Sequence, residues 1–446
     1  MHENADLSPP APVTLRSAFW YWLKLGCVSF GGPAGQIAMM HAELVEKRRW
    51  ISEQRFLHAL NYCMLLPGPE ATQLAIYIGW LMHRTRGGIL AGLLFLLPSL
   101  LLLIVLSWLY MAYGHVAAIA GILYGVKPAV VAIVVAAAWR LGRRTLRSPG
   151  LSAIAAAAFI AIAALHLPFP LIVFGAALLG KAGGRWLPAH FQAGGTRHGG
   201  AARHGAALID DDTPTPEHAQ LKWPRLLGMA SLGVALALLA WLGLALLGGK
   251  DQPLAQMGVF FSKAALLTFG GAYAVLPYLV QGTVEQYHWI SSTQMMDGLA
   301  LGETTPGPLI MIVAFIGFVG GWSHAVLGGN LWLAGVCGAL VASWFTFLPS
   351  FIFILAGAPL VEATRGNLRL SAPLNAISAA VVGVIASLAL FFGRHVFWLE
   401  TPLPHWDWLA LAIGAAAGVA LIRFQMGTIK LLLACAIFGL VLSYLP

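Results

Sequence analysis

The sequence predicts an all-α polytopic membrane protein made of two inverted-topology repeat halves with broken or re-entrant helices. Three observations carry that reading. First, 59% of the 446 residues are hydrophobic and 10% are charged, against about 25% charged in an ordinary soluble domain. Second, the chain is duplicated: Phe30-Gly31-Gly32 returns as Phe269-Gly270-Gly271, Trp50-Ile51-Ser52 as Trp289-Ile290-Ser291, and Pro67-Gly68-Pro69 as Pro306-Gly307-Pro308, always 239 residues later. Lys24 and Lys263, Glu46 and Glu285, and Leu60 and Leu299 keep the same register without a gap. Third, matching loops of the two halves carry opposite loads of Lys and Arg.

The elements follow in order. Residues 1–12 form a tail, and a first repeat spans 13–180 with apolar segments at 17–41, 55–82, 88–113, 116–139 and 150–180. Each approaches the 20 or so residues needed to cross a bilayer, and the last is interrupted by Leu167-Pro168-Phe169-Pro170. Residues 181–224, rich in glycine and holding Asp210-Asp211-Asp212 and Thr213-Pro214-Thr215-Pro216, read as a solvated, disordered cytoplasmic linker. A lone span at 225–251 has no twin. The second repeat, 252–446, has segments at 254–281, 294–320, 325–358, 374–392, 407–422 and 428–445. Leu97-Pro98-Ser99 matches Leu348-Pro349-Ser350, and Gly142-Arg143 matches Gly393-Arg394, at an offset of 251. The change from 239 to 251 places a 12-residue insertion around Trp322–Trp332.

Charge placement orients the halves. Lys47, Arg48, Arg49 and Arg55, then Arg84 and Arg86, then Arg140, Arg143, Arg144 and Arg147 fill first-repeat loops whose twins keep only Arg394. Conversely the loop near Gly114 has no Lys or Arg, whereas its twin carries Arg365 and Arg369. Basic residues in short loops mark the cytoplasmic side, so the halves lie upside down relative to each other and the span at 225–251 is the crossing that inverts the second. Re-entrant hairpins at Gly31-Gly32 and Pro67-Gly68-Pro69 keep Lys47–Arg55 cytoplasmic.

Several function classes are disfavoured. The N-terminus lacks a basic region followed by a small-residue cleavage site, so no removable signal peptide is read. Cys27, Cys63, Cys337 and Cys435 lie in apolar segments without metal-like spacing, as packing residues do. No His-Glu-x-x-His, Cys/His ligand set or nucleophile motif argues for an enzyme, a metal or a cofactor. Gly175–Lys181 imitates a phosphate loop, but Ala182 stands where Ser or Thr is required. Gly121-x-x-x-Gly125 suits a close helix contact. The net charge of +9 follows from the cytoplasmic loops and does not argue for nucleic acid.

The run Phe30-Gly31-Gly32-Pro33-Ala34-Gly35-Gln36, then Trp50, Leu66-Pro67-Gly68-Pro69, Gln73-Leu74-Ala75 and Leu97-Pro98-Ser99 resembles the chromate ion transporter family. The second half, with Val275-Leu276-Pro277 and Glu303-Thr304-Thr305-Pro306-Gly307-Pro308, is similar to the second domain of its long members. That resemblance implies a multi-pass protein of the bacterial inner membrane that exports chromate, with membrane lipid around it. Sulfate or another small oxyanion is the alternative substrate, and assembly into a homo-oligomer stays open.

Chromate is a tetrahedral dianion, and a helix restarting after a Gly or Pro break offers unpaired N–H groups and about half a positive charge. Gly31, Gly32 and Pro33, with Pro67, Gly68 and Pro69 and the twins Gly270, Gly271, Pro306, Gly307 and Pro308, are therefore candidate substrate ligands. Breaks at membrane depth persist only where protein or a water-filled cavity surrounds the freed backbone groups. Lys24, Lys263 and Lys127 are candidate cations, since a charge deep in a bilayer costs about 2.5–3.5 kcal/mol on insertion scales; snorkelling is the bland reading for the first two. Gln36, Gln73, Thr304 and Thr305 are candidate hydrogen-bond donors, with ordinary interhelical bonding as the counter-reading. Glu70 and Glu303 are candidate proton carriers, and Glu70 equally suits the first turn of its own helix.

Overall fold

In the computed structural model, the described residues are 10–30, 32–114, 116–186, 206–211, 213, 216–269, 271–363, 371–399 and 405–444. Among them the chain is almost entirely helical. The first repeat contains α1 (Leu15–Val28), α2 (Gly32–His41), α3 (Glu53–Cys63), α4 (Glu70–Tyr113), α5 (Ala117–Thr145), α6 (Pro149–Ala163) and α7 (Phe169–Trp186). A lone helix α8 (Trp223–Gly248) follows. The second repeat contains α9 (Pro253–Leu267), α10 (Ala272–Val280), α11 (Ser292–Thr304), α12 (Ile312–Ser323), α13 (Leu331–Ala363), α14 (Ser371–Phe397), α15 (Trp408–Ile422) and α16 (Thr428–Leu442). A single turn of π-helix extends α2 at Ala42–Lys47 and α10 at Gln281–Gln286. Two-residue strands, Trp398–Leu399 and His405–Trp406, pair antiparallel between α14 and α15.

Among the described residues five helices are long and apolar enough to cross a membrane, which with the composition makes this an all-α polytopic membrane protein. The longest, α4, is two helices. His83 and Arg84 leave helical geometry, and a Cβ placed on Gly79 falls 2.5 Å from the Gly87 carbonyl oxygen. Eight residues of straight helix would separate these positions by about 12 Å, so the chain doubles back and Glu70–Met82 is a half-helix of about 20 Å. The second repeat makes the same antiparallel pair with α12 and α13, where Gly317 and Gly338 touch. There the seven residues 324–330 between α12 and α13 fall inside the stretch Trp322–Trp332 where the change of offset places the 12-residue insertion.

Packing between the halves is reciprocal. Helix α14 lies against α5, α6 and α7, while its twin α5 lies against α14, α15 and α16. Glycine allows the closest approaches: Gly383 meets the Ala155 carbonyl, and Gly121 and Gly125 meet Gly439 and the Cys435 carbonyl. A contact repeated with its partners exchanged is the signature of a two-fold relation, and the opposed loop charges set that axis in the membrane plane. The lone helix α8 stays mostly exposed, touching the second repeat where Gly233 meets Ile352 and Trp241 donates to the Ala255 carbonyl at 3.2 Å. Single cysteines in the loops at 48–55 and 287–291 of a cysteine-free variant should label from opposite membrane faces with an impermeant reagent. Labelling from one face would remove the inversion.

The linker departs from its sequence reading. Helix α7 runs on to Trp186, and α8 starts at Trp223. Residues 187–205, 212, 214 and 215 of the linker lie outside the described residues, and the described ones from 206 to 222 are docked rather than solvated. Ile209 pairs with Ile51 as an isolated bridge, Ser52 Oγ donates to Asp211 at 2.5 Å, and Arg55 donates to the Thr213 carbonyl at 2.7 Å. His218 sits against the rim of Trp80. Polar composition predicted a free tether, but the loop at 49–52 exposes an unpaired strand edge that the acidic segment covers.

Candidate functional site

The centre of the molecule is built by two loops that cross. Pro67-Gly68-Pro69 joins α3 to α4, and Pro306-Gly307-Pro308 joins α11 to the short 3-10 turn Leu309–Met311. Each loop is fastened to the broken end of the other repeat: Gly68 N–H donates to the Thr268 carbonyl at 2.7 Å, and Gly307 N–H donates to the Ser29 carbonyl at 2.8 Å. Ser29 and Thr268 are twins at the offset of 239. These carbonyls belong to the last turns of α1 and α9, where a helix has no partners of its own. Both breaks are thus satisfied across the pseudo-symmetry axis.

Gly68 and Gly307 are dictated by backbone and by space together. Their φ values are +127° and +108°, in a region that side chains rarely enter. A Cβ on Gly68 would fall 2.5 Å from Ser350 Oγ, and one on Gly307 would fall 2.6 Å from Ser99 Cβ. Ser99 and Ser350, twins at the offset of 251, therefore point at the loops of the opposite repeat. Both are fully buried and neither hydroxyl has a hydrogen-bond partner. The Ser29 and Thr72 hydroxyls are in the same condition. An unpartnered buried polar group costs about 1–3 kcal/mol, and the side-chain oxygens of Gln36 and Gln73 at the same crossings are unpartnered too, so the crossings carry both donors and acceptors without partners. Sequence reasoning used Ser99 and Ser350 only as register marks; serine beside a proline inside an apolar span was the available signal.

The candidate residues sort into distinct positions. Gln36 is fully buried and its amide donates to the Gly307 carbonyl at 2.5 Å and the Ser29 carbonyl at 3.3 Å. Gln73 donates to the Pro67 carbonyl at 2.8 Å. The two glutamines hold the crossings together; both N–H groups of Gln36 are engaged, whereas Gln73 uses one of its two. Thr304 and Thr305 donate to the Leu301 and Gly302 carbonyls within α11, closing that helix. Gly32, with φ +68°, lies outside helical geometry at the start of α2 and is followed directly by Pro33. Gly271 precedes α10 in the same way with φ +101°. Gly31 and Gly270 lie outside the described residues. Lys24 and Lys263 are exposed on α1 and α9, so the structure does not bring them to the crossings.

The acids differ between repeats. Glu70, buried at the first position of α4, places its own negative charge at a helix start. Its twin is Leu309, so the second repeat leaves that start without an acid. Glu303 accepts a short hydrogen bond from Tyr273. Both acids lie within electrostatic reach of the basic end of α5, through Arg140 for Glu303 and Arg144 for Glu70. Lys127 stands apart from the crossings, 3.4 Å from Asp297. No group of three or more metal-ligating side chains occurs among the described residues.

Two broken-helix repeats that cross at a layer of buried hydroxyls form the centre of an all-α polytopic membrane protein. The chain belongs to the chromate transporter family, whose model matches residues 16–181 and 255–440. It is 34% identical to the chromate transport protein of Pseudomonas aeruginosa over 85% of this chain and 82% of that one. It is 30% identical to the chromate transport protein of Cupriavidus metallidurans over 86% and 83%, and 30% identical to a probable chromate transport protein of Synechococcus elongatus over 86% and 85%. No solved structure matches.

Proposed function

We infer that this chain exports chromate from the cytoplasm across the bacterial inner membrane as a secondary active transporter. The observation that carries the reading is the reciprocal crossing of the two Pro-Gly-Pro loops beneath the unpartnered hydroxyls of Ser29, Ser99 and Ser350. An oxyanion offers only acceptor atoms, and hydroxyls are donors that rotate to meet them. The start of the second repeat's broken helix, free of an acid at Leu309, adds backbone dipole. Relatives named as chromate transport proteins support the substrate. Membrane potential is the proposed driving force, with proton exchange through Glu70 or Glu303 as an addition to it.

Sulfate has the same shape and charge, so hydroxyl donors alone do not separate the two. Chromate uptake into inside-out vesicles should be saturable and should survive a tenfold excess of sulfate. Equal suppression by equimolar sulfate would make this a general oxyanion carrier. Among the lysines, Lys127→Gln should lower export at least tenfold at normal membrane abundance, whereas Lys24→Gln and Lys263→Gln should leave it near normal. Full export by all three variants removes lysine from the mechanism and leaves hydroxyls and backbone dipoles as the anion's partners.

A further inference from the structure

Away from the crossings, a cavity of about 400 Å³ opens between α4, α5 and α11, lined among others by Tyr110, Lys127, Thr293, Gln294 and Asp297. Its mouth lies beside the loops near Gly114 and before Ser292, which carry no Lys or Arg, at the end of α5 opposite Arg140, Arg143 and Arg144. Asp297 is buried to 2% exposure at its floor, while Lys127 is 23% exposed between that acid and the open space. Asp297 accepts from the Tyr110 hydroxyl through Oδ2 at 2.9 Å. Its Oδ1 has no hydrogen bond, only the Lys127 ammonium at 3.4 Å. A charge-assisted hydrogen bond closes to about 2.7–2.9 Å, so this pair is held slack.

The pair breaks the molecule's own symmetry. The twin of Asp297 is His58, the twin of Tyr110 is Val361, and the twin of Lys127 is Ser378. Between these twin positions His58 does bond the Val361 carbonyl, at 2.8 Å, so the contact is kept and the charges are not. Packing two repeats together does not require an ion pair at one end alone. Lys127 and the Tyr110 hydroxyl are also the groups whose charge or hydrogen bond acts on Asp297.

We propose that this cavity is the release subsite for the oxyanion, in which Lys127 receives the departing anion and Asp297 is the internal anion that takes the lysine back and expels it. The inference rests on the export reading and adds to it a residue and a direction. A partly buried cation facing a dianion would retain it, since Coulomb attraction grows as water is excluded. A carboxylate on the far side of the same ammonium competes for it at every turnover. The Tyr110 hydroxyl keeps that carboxylate back from a closed bond, which leaves Lys127 available to the cavity.

The test compares purified full-length wild type, Asp297→Asn, Tyr110→Phe and the double variant Lys127→Gln/Asp297→Asn, by equilibrium dialysis against radiolabelled chromate. Asp297→Asn should bind chromate at least tenfold more tightly, and the double variant should lose that gain. Tyr110→Phe keeps both charges, frees Asp297 toward Lys127 and should weaken binding. In right-side-out vesicles loaded with chromate, efflux by Asp297→Asn should be inhibited by about tenfold less external chromate than wild type. Equal binding by wild type and Asp297→Asn overturns the proposal. If Asp297→Asn does not reach the membrane, Tyr110→Phe decides: weaker binding upholds the subsite and unchanged binding overturns it. Wild-type vesicles that move no chromate would remove the export reading, and the dialysis comparison would still decide the pair.

Discussion

Gly68→Ala and Gly307→Ala should each abolish chromate export. At φ +127° and +108° an added side chain costs of order 1–3 kcal/mol in backbone strain alone. The new methyl must also displace Ser350 or Ser99, whose atoms stand 2.5 and 2.6 Å from it. Gly32, at φ +68° with no neighbour within 4 Å, is the control that bears strain without collision, and Gly32→Ala should retain part of the activity. The two lesions differ in their cure. Gly68→Ala collides with the Ser350 hydroxyl at 2.5 Å and the Gln73 amide nitrogen at 2.7 Å, so Ser350→Ala in the same chain should restore some membrane abundance without restoring export. Gly307→Ala meets the Cβ of Ser99, which Ser99→Ala keeps, so no rescue is expected there. Export and membrane abundance measured together decide the matter, and wild-type transport by Gly68→Ala would displace the crossings from the pathway.

Export should follow the membrane potential and persist without ATP. Moving one charge through 100 mV is worth about 2.3 kcal/mol, so a dianion leaving down a potential of roughly 150 mV, inside negative, gains about 7 kcal/mol. At about 1.4 kcal/mol per tenfold, that supports about five decades of gradient. Inside-out vesicles that respire without ATP should accumulate chromate, and collapsing the potential should stop them. Accumulation that survives the loss of both potential and proton gradient, yet needs added ATP, would place the driving force in a separate subunit.

The broad architecture was legible because it is written in features that one sequence can repeat. Phe-Gly-Gly and Pro-Gly-Pro recur at a fixed offset because each answers a backbone demand, and the helix breaks fall where those residues stand. The doubling of α4 at His83–Arg84 was legible only as a gap between apolar segments, since no Gly or Pro marks that turn. The docked linker was not legible at all: Asp211 and Thr213 look like tether residues until the strand edge at Ile51 is in place beside them. Site residues divided along the same line. Gln36 and Gln73 advertise hydrogen bonding, but which donors they spend on Gly307 and Pro67 depends on the other repeat's position. Asp297 was missed because a lone acid in α11 gains meaning only from Lys127 on α5, 170 residues away by number.

The exchange of hydrogen bonds between Gly68 and Thr268 and between Gly307 and Ser29 also sets a timetable. Ser29 is made early, but the amide that closes it lies in the second repeat. Gly307 lies 278 residues after Ser29 (307 − 29), and at synthesis rates of about 5–20 residues per second the wait lasts about 14–56 s. Throughout that interval the newborn first repeat must hold open helix ends inside the membrane with no chain of its own to close them. Its survival then depends on whatever shields them, whether lipid headgroups, water or an insertion factor.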